Sequence, residues 1–203
     1  GERDPAAPLP RGGQLEDDLD RLELGLRPFS IDLDLEARGR MLVFARELIA
    51  WNDRLNLLSR SDVYNVVRKH IAASLGVFLC APPARSERWI DVGTGAGFPG
   101  LVLKIARTDL AIDLLDSSRK RCLFIESVAR QLRLGPLSVL PMRAGTLLGR
   151  GDAAGTYAGI APTPPFSSRR SPKEMPGPTS TSPGPPGTPA ARPAGCWPPW
   201  SRY

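Results

Sequence analysis

Apolar positions along this 203-residue chain change their period twice. Over residues 35–52 they recur at helical spacing, with Met41, Ala45, Leu48 and Ile49 on one face and Trp51-Asn52 at the end. A second helical stripe runs through Val63, Val66, Val67, His70, Ile71, Ser74 and Leu75, with Asp62 as its expected N-cap. The pattern then shortens to compact apolar runs at residues 89–92, 111–116 and 137–142, which read as buried strands. Helical runs separate them: 101–106, then 117–132 with Phe124, Val128 and Leu132 on one face. Strand and helix in alternation predict a parallel sheet of α/β type, preceded by a pair of helices lying over it.

The chemistry concentrates where the first strand ends, in Asp91-Val-Gly-Thr-Gly-Ala-Gly-Phe-Pro-Gly100. Glycines there allow positive φ and bring the backbone close to a ligand, while the next helix offers unpaired N–H groups. Two cofactors compete for such a loop. Gly95-x-Gly97-x-x-Gly100 is a literal dinucleotide pattern, and Asp116 follows at about the separation of a ribose-binding acid, which keeps an NAD-dependent oxidoreductase open. Against it, Asp91 two residues before the first glycine gives Asp-x-Gly-x-Gly-x-Gly, an arrangement that S-adenosylmethionine-dependent methyltransferases resemble. An acid there can face the ammonium and sulfonium charges of that cofactor. Asp116 can accept from both ribose hydroxyls, or it caps the following helix, for which Ser117 and Ser118 are equal candidates.

Five segments in order carry a family resemblance: Trp51-Asn-Asp-Arg-Leu-Asn-Leu57, Val67-Arg-Lys-His-Ile71, the glycine loop with its Gly-Phe-Pro-Gly ending, Leu114-Leu-Asp-Ser-Ser-Arg-Lys-Arg121 and Met142-Arg-Ala-Gly145. Together they resemble the ribosomal small-subunit RNA methyltransferase G family over residues 37–148. The resemblance implies a Rossmann-like S-adenosylmethionine-dependent methyltransferase fold with an N-terminal helical extension. It also implies methyl transfer from S-adenosyl-L-methionine to guanine N7 of 16S ribosomal RNA. Position by position it carries over Gly93 and Phe98 of the loop, Asp116 with Ser117 at the ribose, and Ala144-Gly145 near the adenine, where the family usually has Ala-Glu. With Asp91 and Gly95 these make the candidate cofactor set. Guanine N7 already has an in-plane lone pair, so no general base is required and no catalytic residue is assigned.

His70 is the only histidine. It either packs its helix onto the sheet or lines the site and helps to place RNA. Arg68, Arg119, Lys120, Arg121 and Arg143, with Lys69, flank the same segments and are candidate phosphate contacts; ordinary solvated helix faces are the alternative reading. The net charge of +6 adds little, because residues 161–203 contribute five cations against one acid.

That last stretch holds 13 of the 22 prolines and no Leu, Ile or Val, so it is expected to be disordered. The abrupt loss of periodicity looks like translation in a shifted reading frame of a GC-rich gene; a genuine proline-rich interaction tail is the alternative. The expected organisation is a flexible segment over 1–30 with a candidate short acidic helix over Leu15–Leu24, a helical extension over 31–85, a partial doubly wound cofactor domain over 86–150 and a tail over 151–203. With only half a sheet, the flank of the first strand is expected to be bare, and an inactive cofactor- or RNA-binding remnant becomes the alternative to an enzyme. No apolar run reaches membrane-spanning length, and three scattered cysteines suggest neither a metal site nor a disulfide framework. The expectation is a cytoplasmic monomer acting on 16S ribosomal RNA or the small ribosomal subunit, with no membrane and no metal.

Overall fold

A computed structural model describes residues 13–80, 82–84, 87–148, 157 and 159–162. The N-terminal helices are α1 (Gln14–Leu26), α2 (Leu35–Leu55), α3 (Arg60–Val63), a π-helical turn (Val66–Ile71), α4 (Ala72–Leu75) and α5 (Val77–Cys80). The α/β part follows as β1 (Arg88–Val92), α6 (Gly100–Ala106), β2 (Ala111–Asp116), α7 (Arg119–Gln131), β3 (Leu137–Pro141), α8 (Ala144–Leu148) and β4 (Gly159–Pro162).

The sheet is parallel throughout, in the order β3-β2-β1-β4. Helices α6 and α7 are the crossovers from β1 to β2 and from β2 to β3. Strand β2 has an interior position and is buried on both faces, which explains why its sequence reads as a near-continuous apolar run. The α2 stripe expected from spacing is the buried face: Met41, Phe44, Ala45 and Leu48 are inaccessible, and α2 packs on α6 and α7. Trp51 reaches Phe124 of α7 with ring centroids 5.7 Å apart. The helix runs past Asn52 because Asn52 is buried and accepts the N–H of Leu58 at 2.8 Å. Its end is Asn56, in the left-handed conformation at φ 47°.

Three expectations change. Within the segment expected to be flexible, the candidate acidic helix is present as α1 and is packed: it buries Leu15, Leu19 and Leu26, and its acids pair with α2 through Arg46–Glu16, Arg38–Asp20 and Arg38–Glu23. The leucines recur at i, i+4 and i+11, a helical face that the surrounding acids obscure. Asp62 is not the N-cap; Ser59 is, accepting the Asp62 N–H at 3.2 Å, while the Asp62 carboxylate takes the Ser59 hydroxyl at 2.6 Å and Lys69 Nζ at 2.9 Å.

The flank of β1 is not bare either, because β4 pairs with it in parallel from Trp89↔Gly159 to Val92↔Pro162. Just before this strand, the Tyr157 hydroxyl donates to Asp113 Oδ2 at 2.8 Å, and Asp113 also holds Arg88 at 2.9 Å. One buried carboxylate of β2 therefore ties the start of β1 to the approach of β4. A four-residue strand of Gly-Ile-Ala-Pro carries too little apolar pattern to announce itself. Of the disordered tail expected over 151–203, Tyr157 and β4 are described and β4 is a strand; the rest lies outside the described residues.

Candidate functional site

Parallel pairing brings three strand ends together. Val92 is in register with Leu115, and Asp116 with Pro141, so the glycine loop, Asp116-Ser117-Ser118 and Met142-Arg143-Ala144 all emerge on the carboxyl edge of the sheet. In open α/β sheets ligands bind at this edge.

The loop is built by its glycines in two ways. Gly93, Gly95 and Gly97 have φ of 80°, 58° and 96°, conformations that other residues rarely adopt. The Gly93 and Thr94 N–H groups both donate to Leu115 O, at 2.7 and 3.0 Å, and extend the β1–β2 pairing into the turn. Beyond Gly93 a Cβ would meet nothing within 4 Å, and at Gly95 only the Gly93 carbonyl at 3.8 Å, so the outer face is open to a close approach. Gly100 serves packing instead: a Cβ there would lie 2.3 Å from Leu114 Cδ2 and 2.7 Å from Asp91. The Phe98–Pro99 peptide is cis.

Asp116 organises the edge. Its Oδ2 accepts the Gly95 N–H at 2.9 Å, its Oδ1 accepts the Ser118 N–H at 2.8 Å, and Arg121 lies 3.6 Å from Oδ2. Of the two readings of this acid, the bond to Ser118 carries the one in which it shapes the turn into α7; each carboxylate oxygen has a further lone pair. Ser118 is the N-cap by position, without a side-chain cap bond. Ser117 is exposed on the same turn.

Asp91 does not face the crevice as expected. Its side chain is fully buried, and Oδ2 accepts the Gly100 N–H at 2.8 Å, so it closes the loop onto the start of α6. Alternation along β1 turns residue 91 toward the helix layer, which strand-end position alone does not reveal. The consequence discriminates between cofactors. A dinucleotide would bring its diphosphate to this helix start, where a buried carboxylate already occupies the N–H and repels another anion. A cofactor carrying a ribose and a cationic centre, without a diphosphate, fits the open glycine face, Asp116 and the sign of this field.

The helical layer reaches the loop through aromatic rings. Phe98 is buried, with the His70 ring 5.0 Å away and the Phe44 ring 5.4 Å away. His70 is partly buried, and one ring it packs on is Phe98 at the end of the glycine loop. Burial pushes its pKa below the ordinary histidine value, against a smaller opposing pull from Asp62. Sequence reasoning passed over Phe44 as a loop contact and Thr94, whose hydroxyl is buried under the loop with no hydrogen-bond partner among the described residues. A ring–ring contact across 54 residues leaves no local signal.

The remaining candidates are less closely assembled. Gly145 is exposed in the first turn of α8 with open space beyond its Cα, and Ala144 is half-buried beside it. Arg68, Arg119, Lys120 and Arg143 are exposed, and among the described residues no hydrogen bond or ion pair ties them to the loop. Lys69 is engaged by Asp62. Arg119, Lys120 and Arg121 open α7 with no acid in its first turn, a placement that the helix dipole disfavours by roughly 0.3–1 kcal/mol per cation. Among the described residues, no cluster of His, Cys, Asp and Glu is arranged to hold a metal ion, and no helix is long and apolar enough to cross a membrane.

Comparison with known proteins agrees with this geometry. Residues 38–157 match the family model described as rRNA small subunit methyltransferase G, running past Leu148 to the threshold of β4. A ribosomal RNA small subunit methyltransferase G from Syntrophus aciditrophicus is 40% identical over 121 residues, covering 59% of this chain and 50% of that protein. Its counterpart from Alkaliphilus oremlandii is 35% identical over 125 residues, covering 62% and 52%. That from Methylobacillus flagellatus is 34% identical over 123 residues, covering 61% and 58%. The chain thus spans about half the length of the curated relatives it matches.

Proposed function

This chain belongs to the small-subunit ribosomal RNA methyltransferase G family, and from that premise we propose that it transfers a methyl group from S-adenosyl-L-methionine to guanine N7 of 16S ribosomal RNA. The observation that carries the reading is the single carboxylate at the end of β2, Asp116, bonded to the Gly95 N–H at the open face of a loop with three left-handed glycines. When bound, the cofactor supplies a methyl group on a sulfonium, an electrophile with a good leaving group.

The residues have modest tasks. Gly93 and Gly95 let the backbone approach the cofactor without a Cβ between. Asp116 accepts from the ribose hydroxyls while holding the loop in place. Ala144 and Gly145 stand where the adenine is expected, with backbone groups alone at Gly145. Arg68, Arg119, Lys120, Arg121 and Arg143 contribute phosphate contacts to the RNA, each attractive in a salt-dependent way. His70 acts on the loop through Phe98. No side chain moves a proton, because the N7 lone pair is available; rate comes from holding nitrogen, methyl carbon and sulfur in line.

The test is incubation of the chain with S-adenosylmethionine labelled in its methyl group and bacterial small ribosomal subunits lacking this modification. Label in 16S ribosomal RNA at a guanine that becomes cleavable by aniline, as N7-methylguanine does, supports the proposal. A folded chain that binds the cofactor and leaves the RNA unlabelled makes it a binding remnant instead.

A further inference from the structure

We propose that His70 is a positioning residue that holds the glycine loop in its binding-competent shape by clamping Phe98 against Phe44. The inference rests on the cofactor-site reading above and deepens it. Between Gly93 and Gly97 the loop has no large side chain: Gly, Thr, Gly, Ala, Gly. Three of these five are glycines, the residue type that loses most conformational freedom on ordering. Phe98 is the next residue and the loop's first large apolar group, and its ring meets both His70 at 5.0 Å and Phe44 at 5.4 Å. Both ring pairs are tilted, at 57° for Phe44 and 31° for His70, and within the centroid range of attractive ring contacts.

The turn that carries His70 is itself fixed from two sides. It is π-helical, with the Ala72 N–H bonded to Val67 O, a wide turn of the kind frequently found at functional sites. On one side Lys69 Nζ is held by Asp62 at 2.9 Å, and Asp62 by the Ser59 hydroxyl at 2.6 Å. On the other the Ser74 hydroxyl donates to His70 O at 2.6 Å. The imidazole is thereby set on a short, braced turn against the end of a loop that is otherwise held by backbone hydrogen bonds and Asp116. Removing the ring leaves the sheet intact and lowers the fraction of molecules whose loop is ready to bind, which weakens apparent affinity in proportion to that fraction.

The experiment compares the full chain with His70→Asn, which keeps polarity and loses stacking bulk, and His70→Phe, which keeps an aromatic ring. Hydrogen exchange of the Gly97 and Phe98 amides, both donated to Thr94 O, is measured without cofactor, and S-adenosylmethionine affinity by equilibrium dialysis. We expect about tenfold faster exchange and about tenfold weaker binding in His70→Asn, with His70→Phe within about twofold of the parent on both. Unchanged exchange in His70→Asn overturns the clamp, and so does a His70→Phe chain that exchanges as fast as His70→Asn. The exchange measurement stands without any ligand, so a parent chain that fails to bind S-adenosylmethionine contradicts the proposed cofactor and leaves the clamp to be judged on loop order alone. A purely structural histidine would lower the melting temperature of both variants and leave loop exchange below the transition unaltered.

Discussion

The carboxylate of Asp116 and the amide of Gly95 are joined by a 2.9 Å hydrogen bond that crosses from the end of β2 to the glycine loop after β1. Twenty-one residues separate them in sequence, and the bond makes the shape of the loop depend on the same side chain proposed to hold the ribose. On the proposed function, cofactor binding and loop order are coupled through this one carboxylate.

Replacing that side chain separates the two. In Asp116→Ala the Gly95 and Ser118 N–H groups lose their acceptor, costing about 1–3 kcal/mol for each donor left buried. Asp116→Asn keeps one acceptor but presents an amide N–H to one donor. Calorimetry should find cofactor affinity reduced at least about tenfold in Asp116→Asn, with a smaller loss of thermal stability than in Asp116→Ala. Equal affinity in the parent and Asp116→Asn would remove Asp116 from the site.

Gly100 makes a prediction about stability alone. A methyl group placed 2.3 Å from Leu114 Cδ2 and 2.7 Å from the Asp91 carboxylate forces α6 away from β2. Gly100→Ala should destabilise by about 1–3 kcal/mol, as overpacking does, read as a lower denaturant midpoint. A parent-like midpoint would mean that the helix–strand contact is looser than described.

Tyr157 tests the fourth strand. Its hydroxyl reaches Asp113 at 2.8 Å, next to the Arg88 pair. Tyr157→Phe should cost about 0.5–1.5 kcal/mol and selectively speed hydrogen exchange where β1 pairs with β4. Unchanged β1 protection in this variant would show that β4 is held by other contacts.

His70 gives the chain a pH dependence of definite sign. Burial lowers its pKa in the fold below the value near 6.5 of an unfolded chain. Between those two values the unfolded state binds more protons, so stability rises with pH and falls as pH drops through about 6.5 toward the folded pKa. Urea midpoints measured from pH 5 to 8 should show this loss, and His70→Phe should flatten that part of the profile. An identical slope in His70→Phe would assign the titration elsewhere.

Much of the scaffold was legible in the sequence because its elements are long or strongly periodic. The Met41–Leu48 face, the Ala111–Asp116 strand and the alternation of strand and helix follow from local spacing, and the three glycines announce a turn by conformation alone. What stayed hidden depends on contacts between distant residues. The inward turn of Asp91 follows from which face of β1 meets α6, and the His70–Phe98–Phe44 contact from how the helical layer lands on the loop. The burial of α1 was masked by acids that serve as partners for Arg38 and Arg46. Strand β4 has only four residues, and its existence depends on pairing with β1 rather than on propensity of its own.

The central claim is tested most directly by calorimetric titration of the chain with S-adenosylmethionine, S-adenosylhomocysteine and NAD, alongside Gly93→Arg. At Gly93 the backbone has φ 80° and open space beyond it, so an arginine there is strained and projects into the proposed crevice. Saturable binding of the first two ligands is expected, with no binding of NAD and loss of binding in Gly93→Arg. Binding of NAD alone, or no binding by a folded chain, would contradict it.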